Sequence, residues 1–299
     1  MTQTLVASPP PARPAGRGPG RAGRPGRRGR GSAANGGLFR LTPTSGLGLG
    51  VALVWFSVLV MLPLAAVIGA AAEGGWASFW GTLTDAQTFA ALRLTVVEAF
   101  LVTVVNAFVG TVVAWVLVRD HFWGKRVLDV VIDIPFALPT IVAGLVLLSL
   151  WGPDSPVGVN IVNTREGIFL ALLFVTLPFV VRTVQPVLIE LDADVEEAAA
   201  SLGASRFTTF RRVILPSLVP AIAAGSSLGF ARAISEFGSL VLISGNTPYQ
   251  TEVASLKILK FLEGDNQAGA AAVAVLLLLV AVVTIVALDL ISRRVARRG

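Results

Sequence analysis

Six long apolar runs, about 47–72, 94–118, 131–151, 167–189, 217–243 and 268–291, constrain this chain more than any other feature of it. Each is long enough to cross the ~30 Å hydrocarbon layer as a helix rising ~1.5 Å per residue. The runs are continuous, whereas barrel strands alternate lipid-facing and lumen-facing residues over ~10 positions. A helix also pairs every backbone N–H and C=O within itself, as a lipid environment demands. The sequence therefore predicts an all-α, polytopic membrane protein with six transmembrane helices. With 54% hydrophobic and only 14% charged residues, it carries too little polar surface for a soluble domain. The absence of cysteine excludes a disulfide framework, a thiolate metal site and a cysteine nucleophile, and the single histidine, His121, excludes a histidine cluster.

Residues 1–46 form a Gly/Pro/Ala/Arg tract with almost nothing to bury, which predicts a disordered basic tail. Its basic part is too long for a signal peptide, and no small-residue cleavage site follows a short apolar stretch. Its eight arginines are read as a solvated cytoplasmic tail rather than a contact with anionic lipid or RNA, and no nucleic-acid partner is expected. Lys and Arg in the connections divide eighteen to four in favour of one side if both termini face the cytoplasm. The positive-inside rule then predicts a multi-pass protein of a bacterial plasma membrane with both ends inside, and a short basic tail at 292–299.

That orientation puts the connection 190–216 in the cytoplasm. Its stretch EEAAASLGASRFTTFRRVILPSL, from Glu196 to Leu218, is polar and rich in helix formers, with Gly203 where a helix ends or turns. Leu202, Phe207, Phe210 and Val213 offer apolar contacts beside Glu196, Glu197, Arg206, Arg211 and Arg212. Such an element suits docking into a groove of another protein, and a helix lying on lipid is the plainer alternative. Pro216 is expected to open the fifth span, where its missing N–H costs little.

Glu197-Ala198-Ala199, three residues, Gly203, nine residues and Val213-Ile214-Leu215-Pro216 resemble the EAA signature of ABC importer permeases, EAA-x3-G-x9-I-x-L-P, with Val213 at the usual Ile position. The resemblance implies a MetI-like permease fold over 47–291. It also implies that Glu197, Ala198, Ala199, Gly203, Val213, Leu215 and Pro216 belong to a coupling helix seated in a separate ATPase subunit. Asp133-Ile134-Pro135-Phe136-Ala137-Leu138-Pro139-Thr140, PFVVRTVQPVL at 178–188 and FARAISEFGSLVLISGN at 230–246 resemble the CysT-type permeases of sulfate/thiosulfate importers. This implies as partners a CysA-type ATPase, a CysW-type second permease subunit and an extracytoplasmic sulfate-binding protein, alongside membrane lipid. No GxxxxGK[ST] phosphate loop is present, so no cofactor is expected on this chain and Mg-ATP belongs to the partner. A molybdate or other oxyanion permease is the alternative within the family.

Several polar residues lie inside the spans. Arg232 and Glu236 are i, i+4 neighbours some ~22–29 Å along the fifth span, where an isolated charge costs ~2.5 kcal/mol or more. With Ser227 and Ser235 they border an anion pathway or form a structural ion pair. Pro135 and Pro139, four apart, are expected to kink or break the third span as a gate hinge or a packing feature. Arg182 is expected to snorkel from the end of the fourth span, Gln185 to bond across helices, and Asp133 and Glu98 to be interfacial. The last long connection, with Val253, Leu256, Leu259 and Phe261 in an amphipathic pattern, either packs over the bundle or receives the binding protein. From other classes, an ion-coupled secondary carrier would not need the docking loop, and a membrane enzyme would need a constellation of nucleophile, base or metal ligands that the sequence lacks.

Overall fold

The computed structural model describes residues 43–191 and 193–296, and every regular element among them is helical. The chain divides into two units, Met1–Val54 and Trp55–Gly299. The described residues of the first lie in α1 (Pro43–Phe56); the expected disordered tail lies, up to residue 42, outside the described residues. In the second unit come α2 (Leu62–Glu73), α3 (Gly75–Thr84), α4 (Ala86–Arg119), α5 (Lys125–Ala137), α6 (Thr140–Trp151), α7 (Arg165–Glu190), α8 (Ala193–Ser201) and α9 (Arg206–Thr209). They are followed by α10 (Leu215–Ile234), α11 (Gly238–Ile243), α12 (Ala254–Glu263) and α13 (Gln267–Ala296).

Five stretches among the described residues are long and apolar enough to cross a membrane: Ser45–Glu73, Ala86–Arg119, Arg165–Glu190, Arg206–Ile234 and Gln267–Leu290. The bent pair α5 and α6 makes six if it counts as one span, in agreement with the expected helix count. Its bend of 118° falls at Leu138-Pro139. The expected break is thus present, but 131–151 is not a single rod: the helix begins at Lys125 and folds sharply where Pro139 cannot continue it.

Three further boundaries differ from expectation. The fifth span begins at Arg206 rather than 217, so Pro216 lies inside a continuous helical stretch. A π turn at Phe210–Ile214 precedes it, in which Leu215 N–H bonds the Phe210 carbonyl. The first span repeats this device, with Ser57–Met61 ahead of Leu62-Pro63. The extra residue of a π turn relieves the clash between a proline ring and the preceding turn of backbone. The same span ends at Ile234, before the short α11, and not at 243. At the chain's end α13 continues as helix to Ala296, through most of the expected tail.

The helices α7 and α10 form the hub, packing on each other and on α4, while α10 also packs on α13. Small residues permit this closeness: a Cβ on Gly110 of α4 would lie 2.8 Å from Val180 Cβ, and one on Gly225 of α10 would lie 2.9 Å from Val180 Cα. Asn106 of α4 donates to Thr176 Oγ1 at 2.8 Å and to the Leu173 carbonyl at 3.2 Å, tying α4 to α7 inside the apolar layer. The core has two parts. One, around Leu117, Val184, Leu188, Ile214 and Leu218, lies toward the α8–α9 loop, here termed the loop end. The other, around Leu92, Ile168, Phe230, Leu240 and Val253, lies toward the opposite end. There Val253, Ala254 and Leu256 are buried, and α12 packs against α4 and α13 as a cover over the bundle.

Candidate functional site

The loop end carries a polar, doubly capped turn. Helix α8 stops in a Schellman turn: Ala204 N–H bonds the Ala199 carbonyl at 3.0 Å and Gly203 N–H bonds that of Ala200 at 2.9 Å. This closure requires a left-handed residue, and Gly203 has φ +80°. Ser205 then caps the next helix by accepting from Thr208 N–H at 3.2 Å. On either side of the two caps stand Leu202, 89% exposed, and Phe207 of α9, 71% exposed, two large apolar side chains left open among the described residues. Glu197 and Ala198 are exposed and Ala199 is half-buried; the side chain of Glu196 lies outside the described residues.

Packing links this loop to the bundle. Phe210 meets Trp115 of α4 edge to face at 5.8 Å, and Arg119 stands over the same indole. Val213, Leu215 and Pro216 are half-buried, and the anchoring is done by Ile214 and Leu218, both buried against Val180, Val181 and Leu188. Sequence reasoning overlooked these two; their spacing of four marks one face of a helix once the helix is known to start at Arg206.

Arg182 does not snorkel. Its side chain turns sideways to α5 and uses all five N–H donors. Nε and Nη2 form a fork on Asp133, both at 2.6 Å, and Nη1 reaches Asp129 Oδ1 and Gln185 Oε1 at 2.7 Å each. The remaining Nη2 proton goes to the Asp129 backbone carbonyl at 2.7 Å. Gln185 bonds across to Asp129 as expected, at 3.4 Å. Asp133 is half-exposed and paired, and Glu98 is 7% exposed. Asp129 was overlooked, although its i, i+4 relation to Asp133 places two carboxylates on one face of α5.

The breaks of the third and fifth spans meet. Gly238 at the start of α11 rests on Thr140 and Ile141 at the start of α6, and Gly144 of α6 rests on the backbone of Ser239. Arg232 and Glu236 stand at this junction, but Glu236 lies past the end of α10 instead of within it. Glu236 Oε2 pairs with Arg232 Nη2 at 2.6 Å. Its Oε1 accepts from Ser239 N–H and Oγ, both at 2.9 Å, capping α11. The Glu236 side chain is fully buried while that of Arg232 is 28% exposed, so the pair presents a guanidinium on a buried carboxylate. Ser235 is exposed beside it and donates to the Arg232 carbonyl. Ser227 is elsewhere: it bonds its own helix at Ala223 and lines a groove with Ile285 and Asp289 of α13. Pro139 forms the bend next to this junction, and Pro135 lies one turn earlier, buried inside α5.

Residues 106–297 match the family described as "Binding-protein-dependent transport system inner membrane component". The chain is 39% identical over 266 residues to the sulfate transport system permease protein CysT of Escherichia coli K12, covering 87% of this chain and 96% of that protein. To the protein of the same name from Synechocystis it is 40% identical over 250 residues, 81% and 87% of the two chains. In fold it is similar to a chain of a bacterial alginate ABC transporter crystallised with an alginate-bound periplasmic protein, with a TM-score of 0.71 at 18% identity over 84% of this chain and 94% of that one. A chain of the inward-facing MetNI methionine ABC transporter gives 0.51 at 19% identity, over 71% and 99%.

Proposed function

The chain belongs to the family of binding-protein-dependent transport system inner membrane components, and we propose that it forms half of the translocation pathway of an ATP-driven sulfate and thiosulfate importer. In this reading both termini and the α8–α9 loop face the cytoplasm, and α12 lies outside. A CysA-type ATPase receives the loop, a CysW-type permease subunit completes the pathway, and an extracytoplasmic binding protein delivers the anion. This chain contributes no catalytic group and binds no cofactor; Mg-ATP is hydrolysed on the partner.

The observation that carries the docking role is the hydrogen-bonded Schellman turn at Gly203, with exposed Leu202 before it and exposed Phe207 in α9 after it, within the EAA spacing. Two apolar side chains on a fixed turn favour insertion into a groove, because little conformational entropy is lost on binding. Support for sulfate comes from the two CysT proteins, similar to this chain along nearly its whole described length. Uptake of labelled sulfate, thiosulfate and molybdate by the reconstituted complex tests the substrate. Sulfate and thiosulfate uptake dependent on ATP is expected; uptake of molybdate alone would reassign the cargo.

Arg232 is proposed to line the pathway. A charge facing lipid costs ~2.5 kcal/mol or more, so the exposed side of this guanidinium belongs against water or a neighbouring subunit. Buried Glu236 offsets most of its charge, which suits a path that must release its anion. Arg232→Gln and Glu236→Gln should each lower sulfate uptake severalfold in complexes that assemble fully. Normal uptake in both assembled variants would remove the pair from the pathway.

A further inference from the structure

At the end opposite the loop, a cavity of about 300 Å³ opens between α4 and the start of α7. Arg93 and Arg165 line it, with Phe89, Val97, Glu98 and Tyr249. Arg93 has no ion pair or hydrogen bond among the described residues. Among the described residues Arg165, the first residue of α7, donates its Nε–H alone, to the Gln250 carbonyl at 3.1 Å.

Two independent observations identify what this cavity faces. First, α3 immediately precedes α4 and carries Trp76 and Trp80, 72% and 48% exposed, with their rings in contact at 5.6 Å. Exposed tryptophans of this kind sit at the headgroup level of a bilayer. Arg93 lies about 10 Å along α4 from its first residue, just beneath that level. Second, Phe89, Arg93 and Val97, one stripe of α4, also line an apolar groove between α4 and α13 together with Val96, and with Leu276 and Val280 on its other flank. Two arginines beside an apolar groove, with exposed tryptophans one helix earlier, match the charged and apolar halves of one amphipathic molecule.

We propose that this cavity and groove hold an anionic phospholipid, with its phosphate on Arg93 and Arg165 and an acyl chain in the α4–α13 groove. The site is distinct from the Arg232 junction and does not depend on which anion the importer carries. Glu98, which lines the same wall and forms no ion pair among the described residues, opposes the phosphate and limits the affinity.

The test is lipid retention by the full chain copurified with its partner subunits from membranes containing phosphatidylglycerol and phosphatidylcholine, read by native mass spectrometry. Retained phosphatidylglycerol should fall about fivefold in Arg93→Gln and further in the double variant with Arg165→Gln, with phosphatidylcholine unchanged. It should rise in Glu98→Gln. If the double variant fails to assemble, Arg93→Gln decides, since its side chain holds nothing in place. Equal retention in Arg93→Gln and wild type would overturn the proposal. So would displacement of the lipid by inorganic sulfate, but not by chloride at matched ionic strength, which would make the cavity a site for a free oxyanion.

Discussion

Arg182→Gln is expected to destabilise the protein by about 2 kcal/mol, below the ~3–5 kcal/mol cost of breaking a fully buried ion pair. The discount reflects exposure, since the arginine side chain is 30% accessible and its two aspartates nearly half so. The loss has three sources. Five donated hydrogen bonds disappear, the polar tie between α5 and α7 is reduced to the 3.4 Å bond of Gln185 to Asp129, and Asp129 and Asp133 are left as like charges one turn apart. Thermal unfolding of the purified protein in detergent measures the loss. Asp133→Asn in the Arg182→Gln background should recover part of it, because it removes the repulsion without restoring the tie. A melting temperature unchanged by Arg182→Gln would mean that the fork does not hold the two helices together. Arg182→Lys should fall between, since an ammonium cannot reproduce the planar fork on Asp133.

Gly144→Val is expected to be comparably damaging for a steric reason. A Cβ at Gly144 would stand 2.8 Å from Ser239 Cα and 2.9 Å from its carbonyl oxygen, and one at Gly238 would stand 2.7 Å from Ile141 N. These neighbours are backbone and cannot rotate away. The cost of forcing α6 from α11 falls in the ~1–3 kcal/mol range of overpacking, with the branched side chain at the upper end. The same separation would disturb the Glu236 cap on α11 and the Arg232 pair beside it. Gly69→Ala in α2 serves as the control, because nothing lies within 4 Å of the added methyl group. It should assemble and melt as wild type does, whereas Gly144→Val should lose both yield and stability. Wild-type melting of Gly144→Val would disprove the close contact of the two breaks.

The parts of this architecture that a sequence reveals are those set by local chemistry. Length and continuity of apolar runs announce spans, Pro139 announces the bend after α5, and Gly203 announces the end of α8. What stayed hidden depends on neighbours distant in sequence. Nothing local distinguishes an arginine that snorkels from one that turns sideways, and Arg182 turns because α5 brings Asp129 and Asp133 alongside. The break at Ser235–Phe237 was concealed because Glu236 reaches Arg232 whether or not the helix continues. Gly238 and Gly144 looked like ordinary small residues of apolar segments until the two breaks were found in contact. Ile214 outweighs Val213 and Leu215 as an anchor because the π turn rotates the motif before it enters the bundle.

The proposed coupling of this chain to an ATPase through the α8–α9 turn is tested most directly by the ratio of ATP hydrolysed to sulfate transported in proteoliposomes. Gly203→Val forces a branched side chain into a left-handed backbone at φ +80° and should spoil the Schellman turn; Glu197→Lys reverses an exposed charge on the docking helix. In both variants hydrolysis should continue while sulfate uptake falls, raising the ratio severalfold. A wild-type ratio in both, with full assembly, would contradict the assignment of this turn as the point where ATP hydrolysis reaches the membrane helices.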